Sequence, residues 1–163
     1  MKDLIEEQMK ADIVVSLLGR KCWYVSCGRG VGHTFQLALG GKVPRALKLK
    51  NKEHSEEYRR FEGEYGLMVW CAWRLDGVIT SSDTKAKLAY SDLKRLTGKI
   101  IRKVVVDNWN LRLDFTGGLS LSVFANNIGE DANFDGNWEV WTPKTSYSVT
   151  TKLTCEMDFN KGQ

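Results

Sequence analysis

Proline is nearly absent from this chain, with two in 163 residues, and histidine is equally scarce. So few prolines rule out a proline-rich linker or a collagen-like repeat. No apolar run approaches the ~20 residues that a membrane-spanning helix needs. The first residues, Met-Lys-Asp-Leu-Ile-Glu-Glu, place acids where a secretory signal needs bases and then an apolar run, so a cytoplasmic protein is expected. What is present is ordinary for a globular domain: 42% hydrophobic and 27% charged residues, with six Trp, five Tyr and six Phe. A chain of this length buries enough surface for a real core, which excludes extended disorder.

The four cysteines, Cys22, Cys27, Cys71 and Cys155, are expected as reduced, largely buried thiols. Cys22, Cys27 and His33 show a Cys-x4-Cys-x5-His spacing, and His54 could complete a zinc set. Structural zinc sites use tighter, matched pairs. Cys22 and Cys27 also lie an odd number of positions apart on one expected strand, hence on opposite faces. No metal and no cofactor are expected. Cysteine or carboxylate catalysis needs partners that nothing in the sequence brings together, so no enzyme is expected either.

Self-similarity is the main organising feature. Leu17-Leu18-Gly19-Arg20-Lys21 is matched by Leu96-Thr97-Gly98-Lys99-Ile100. A strand-like run, a turn and an alternating segment follow each, then Gly40-Gly41 in one half and Gly117-Gly118 in the other. The ordered series predicts an α+β fold of two related halves, residues 1–82 and 83–163. Each half reads as a helix followed by antiparallel strands, the two packed as one domain. The first helix is expected over 3–18, with Asp3 as N-cap, an Ile5-Met9-Ile13-Leu17 stripe, and Gly19 as terminator. The second is expected over 83–96. Period-two alternation on both sides of Thr116-Gly117-Gly118 predicts a hairpin over 111–124 with one wet face. A second hairpin is expected through Asp76-Gly77.

Three groups of residues are candidates for binding. The glycine-rich loop 28–33 lacks the Gly-Lys-Ser/Thr of a phosphate loop and is followed by a strand, so it reads as a hairpin turn with Arg29 at its tip. Trp70, Trp73, Trp138 and Trp141 form Trp-x2-Trp pairs whose spacing sends one ring inward and one outward. Trp109, in the turn Asp107-Asn108-Trp109-Asn110, is the best candidate for an exposed anchor, because a turn tip is hard to bury. Trp109, Asp107, Arg29, Trp138 and Trp141 are therefore the candidate protein-binding residues. The third group is basic. Residues 85–103 hold seven bases against Asp92 alone, and residues 42–60 hold a second cluster, whereas 104–163 hold four bases and eight acids. Lys94, Arg95, Lys99, Arg102 and Lys103 are the candidate anion-binding residues of an alternative nucleic-acid or nucleotide partner.

The run Leu-x-Gly-Lys, a β segment, Leu-x-Leu-x-Phe-x-Gly-Gly-Leu-x-Leu, and Gly-Asn-Trp-Glu-x-Trp-Thr-Pro over residues 96–143 resembles small uncharacterised bacterial proteins of the immunity type. That resemblance implies a non-enzymatic module that neutralises a cognate toxin, and it carries no site residue with it. Many nuclease-neutralising immunity proteins are acidic; this chain carries a net charge of +4, so imitation of DNA is not the expected mode.

Overall fold

A computed structural model describes residues 1–27, 34–80, 86–128 and 136–159, with only the backbone described at 86–89. The chain opens with helix α1 (Lys2–Leu17) and the strands β1 (Cys22–Cys27) and β2 (Phe35–Pro44). Next come the short helix α2 (Glu56–Arg60) and strands β3 (Phe61–Val69), β4 (Ala72–Leu75) and β5 (Ile79–Thr80). Helix α3 (Ala86–Leu93) runs into a 3-10 turn (Lys94–Leu96), then β6 (Ile101–Asp107), β7 (Asn110–Phe115) and β8 (Ser120–Phe124). The last strands are β9 (Trp138–Trp141), β10 (Thr145–Val149) and β11 (Cys155–Phe159). Among the described residues no helix is long and apolar enough to cross a membrane.

The expected plan of two halves, each a helix followed by its own antiparallel strands, is overturned. The molecule is mostly β, with one long helix, and its strands form two antiparallel sheets that each draw on both halves of the chain. One sheet has the order β1-β2-β3-β9-β10-β11 and the other β5-β4-β8-β7-β6. Thus β3 pairs with β9 and β4 with β8, so strands close in sequence part company after Val69. The cause is local. Trp70 and Cys71 break the alternation of β3, and both of their amides donate to the carbonyl of Asn137. The chain turns there from one sheet into the other. The hairpins over 111–124 and through Asp76-Gly77 do form, as β7–β8 and β4–β5.

The two Leu-x-Gly segments meet each other. The amide of Gly19 donates to Ile101 and that of Gly98 to Cys22, at 2.8 and 2.7 Å. Ile101 donates to Arg20 and Cys22 to Lys99, at 2.9 and 2.8 Å. Within each couple, one bond maps onto the other by a shift of 79 positions, and Lys21 bridges to Ile100 at the same shift. Gly19 and Gly98 adopt φ of 82° and 85°, a region closed to most side chains, and both stop a helical turn there.

The core lies between the sheets. Phe35, Leu37, Leu39, Leu67, Val69, Trp138 and Val140 of the first sheet pack against Trp73, Leu75, Leu111, Leu113, Leu121 and Val123 of the second, all at most 1% exposed. Phe35 meets Trp73 edge to face, with ring centroids 5.4 Å apart. Met9, Ile13 and Leu17 of α1 join this core, but Ile5 stays exposed. Asp3 does not cap α1: the helix starts at Lys2, after Met1, with no side-chain cap. On the outer face of the second sheet, Arg74, Asp76, Arg112, Asp114, Ser120 and Ser122 form one polar network, the expected wet face.

Candidate functional site

The outer face of the six-stranded sheet gathers the most distinctive side chains. It starts from an irregularity in β1. Cys22 pairs with Leu39 and Tyr24 with Ala38, so Trp23 is one residue too many: a β-bulge. The bulge has two consequences. Trp23 and Tyr24, neighbours in sequence, both reach Tyr58 on the outer side, with centroids 6.1 and 4.1 Å from its ring. Cys22 and Cys27 also come to share the inner face, opposite Leu39 and Phe35, which corrects the expectation of opposite faces.

The segment 42–60 brings Tyr58 to this place. Ser55 caps α2 by accepting from the Tyr58 amide at 3.1 Å. Tyr58 then stacks on Tyr24, 12° from parallel, and carries the Arg45 guanidinium 4.6 Å from its ring centre. His54 packs edge-on against both tyrosines, and its Nδ1 shares a hydrogen bond with the Tyr24 hydroxyl at 3.1 Å. Burial and the nearby Arg45 charge hold the His54 pKa below its ordinary value, so its neutral form is favoured. Burial also raises the pKa of the Tyr24 hydroxyl. Lys42 approaches Trp23 at 5.3 Å. This is a pole of aromatic rings faced by cations.

A line across the sheet leads from this pole to one of opposite charge. Strand register aligns Tyr24, Ala38, Gly66, Trp141, Ser146 and Asp158 across the six strands. Beside it run Ser26, Gln36, Met68, Glu139, Ser148 and Glu156. The Trp141 ring lies flat on Gly66, where a Cβ would fall inside the ring, and its indole N–H reaches the Gly63 carbonyl at 3.5 Å. Only glycine leaves room for an indole against the backbone here. At the far end stand Glu139, Glu156 and Asp158. Burial is the main reason the Glu139 pKa is raised; a Ser148 hydrogen bond lowers it and the Asp158 charge raises it further.

The candidate residues from sequence are scattered. Trp109 is 5% exposed and Trp138 fully buried, and they meet in the core, where the Trp138 indole donates to the Trp109 carbonyl at 2.8 Å. The exposed-anchor expectation for Trp109 is therefore corrected. The two-residue turn of β6–β7 takes φ of 49° and 63° at Asn108 and Trp109, and the ring is buried in the core, with the Lys10 ammonium 5.2 Å from its centre. Trp141 is half-buried on the outer face, Asp107 is exposed at the end of β6, and Arg29 lies outside the described residues. Trp73 enters the core and Trp70 remains half-exposed.

The basic candidates divide in the same way. Lys42, Arg45, Lys48, Arg59 and Arg60 of the segment 42–60 each meet a carboxylate, at 2.6–3.7 Å. Glu56 alone holds Lys48, Arg59 and Arg60, and the Lys48 and Arg60 hydrogen bonds bring its pKa down to about 2. Lys94 and Arg95 stand exposed on the 3-10 turn, Lys94 beside the Tyr90 ring at 4.3 Å. Arg102 and Lys103 are exposed on β6, and Lys99 lies over Gly117.

Cysteine chemistry finds no support in the thiols. Burial pushes Cys22, Cys71 and Cys155 to about 12 and Cys27 to about 11, away from the thiolate a nucleophile needs. Among the described residues no group of three or more His, Cys, Asp or Glu side chains is placed to hold a metal ion. Sequence reading missed Tyr24, Tyr58, His54 and Gly66 as parts of one surface. Their common face depends on a bulge and on pairing across distant strands, and neither leaves a periodic signal. No family model, curated protein or solved structure matches this chain.

Proposed function

We propose that this chain is a non-enzymatic protein-binding module that docks a partner on the outer face of its six-stranded sheet. Its concrete form is an immunity-type protein that acts in the cytoplasm and neutralises a cognate bacterial toxin by covering its active site. The observation that carries this reading is the transverse line from Tyr24 through Gly66 and Trp141 to Asp158. It joins a rigid aromatic and cationic pole to an indole platform and then to a carboxylate pole. Half-buried Trp and Tyr held in fixed geometry are the residue types that dominate binding energy, because little entropy is lost when they are covered. A charge gradient across the face orients an incoming partner and speeds its arrival. The engagement of Lys42, Arg45, Lys48, Arg59 and Arg60 by carboxylates supports this reading over a phosphate-binding one.

The test is affinity capture from the native lysate with the full chain, its Trp141→Ala variant and its Tyr24→Ala variant. A stoichiometric protein that survives high salt, and that each variant binds more weakly by about 1 kcal/mol or more while keeping its fold, is the expected result. Nucleic acid released steeply by salt would instead move the function to Lys94, Arg95, Lys99, Arg102 and Lys103.

A further inference from the structure

We infer that the open edge of the six-stranded sheet, strand β11, is a docking site for an extended segment of another protein in which apolar and basic residues alternate. The inference goes beyond the sheet-face reading, because it concerns the edge and its outward backbone groups, and it shares only Glu156 and Asp158 with that face.

Strand β11 is last in its sheet and pairs only with β10 among the described residues. The hydrogen-bond phase of that pair is set at the turn, where the Thr150 amide donates to the Thr154 carbonyl at 2.8 Å. Antiparallel pairs alternate, so Ser148–Glu156 and Ser146–Asp158 exchange bonds with each other. The N–H and C=O of Cys155, Met157 and Phe159 therefore point away from β10, where a further strand would add.

The side chains of this edge are sorted by face. Met157 and Phe159 share the inner face, and are 42% and 72% exposed. Glu156 and Asp158 share the outer face and are exposed as well. Phe159 also lines a groove of about 490 Å³ beside the end of α1, together with Val15, Tyr65 and Thr145; Val15 is 72% exposed. An edge with free backbone groups and uncovered apolar side chains is one that proteins usually block. Among the described residues, β11 meets α1 near Cys155, and the exposed part from Glu156 to Phe159 is guarded by the charges of Glu156 and Asp158.

That charge selects the occupant. Any register that pairs β11 with β11 of a second copy, face matched to face, sets Glu156 or Asp158 against a like charge, which is unfavourable. A segment with Lys or Arg at those positions turns each repulsion into an attraction. Its alternate apolar side chains would then lie beside Met157, Phe159 and the groove at Val15. Main-chain bonds supply affinity in such strand addition, and the alternation supplies specificity.

The test titrates the labelled full chain with a blocked seven-residue peptide of alternating Lys and Val, followed by amide shifts and hydrogen exchange. The expected result is saturable shifts and slowed exchange centred on Cys155, Met157 and Phe159. Met157→Pro removes an outward N–H and leaves the β10 ladder intact, so it should abolish the effect at little cost in stability. The double variant Glu156→Lys with Asp158→Lys changes only exposed side chains, and so serves even if the proline variant misfolds. It should weaken the Lys peptide by about tenfold or more and bind the matching Glu-Val peptide instead. Trp141→Ala should leave the titration unchanged, which separates this site from the sheet face. Absence of saturable shifts, shifts that persist in both β11 variants, or a dimer that Met157→Pro dissolves would overturn the inference.

Discussion

Trp109 holds a backbone conformation with φ of 63° that costs any β-carbon residue energy, and it does so at a turn tip that packs inward. The strain is offset by burying an indole in the core and by the bond its carbonyl accepts from Trp138. Trp109→Ala should therefore act on stability rather than on any partner, with a loss of about 3 kcal/mol or more in urea unfolding. Asn108→Gly, at φ of 49°, removes strain without touching the core and should leave stability equal or slightly higher. Gly66 makes the opposite case. Its missing side chain is what lets Trp141 lie flat, so Gly66→Ala should lift the indole, change its fluorescence and cost about 1–3 kcal/mol. If Trp141 emission and stability are both unaltered, the ring does not rest on the backbone as described.

At the scale of elements, the segment 42–60 is an aromatic and ionic clasp on β1 rather than a free basic loop. Its hinge is the Ser55 cap, and Ser55→Ala should destabilise the protein by about 1 kcal/mol. The clasp also gives stability a pH dependence. The folded pKa of His54 lies below its ordinary 6.5, so in the acid range the unfolded chain binds the additional proton. The His54 contribution is thus complete above about 6.5 and is lost as pH falls from there through the folded value. Glu56, also depressed, contributes above its ordinary 4.5 and loses this as pH falls toward about 2. Unfolding midpoints measured from pH 7.5 to 5 should decline, and His54→Gln should flatten that decline; an equal slope in the variant would remove His54 as its cause.

For the whole molecule, exchange of strands between sheets decides how the chain can be divided. Residues 1–82 alone would leave β3 without β9 and β4 without β8, and residues 83–163 would leave the complementary edges open. Separately expressed fragments should therefore lack cooperative melting. Mixed or co-expressed, they should associate and recover it, since the joint around Lys21 and Ile100 and both sheets would then be complete. A sharp melt from either fragment alone would contradict this account. Local features were legible in the order of residues: α1 by its four-residue apolar spacing, and the hairpins by alternation around Gly77 and Thr116-Gly117-Gly118. The candidate site was not. The Trp23 bulge, the stacking of Tyr58 on Tyr24 and the seat of Trp141 on Gly66 all depend on contacts between segments far apart in the chain.

The sequence by itself determined that a helix opens the chain, that hairpins form around Gly77 and Thr116-Gly117-Gly118, that Met9, Ile13 and Leu17 turn inward, and that two Leu-x-Gly segments are alike. Those properties follow from spacing of residues along one stretch of chain, and periods of two and about four are visible in a string. Only the tertiary structure decided which strands share a sheet, that Trp109 is core rather than anchor, and which aromatic, basic and acidic side chains stand on one face. These are set by pairing between distant segments and by one inserted residue that changes the facing of its neighbours. Their cost and gain appear only once the sheets close around the core.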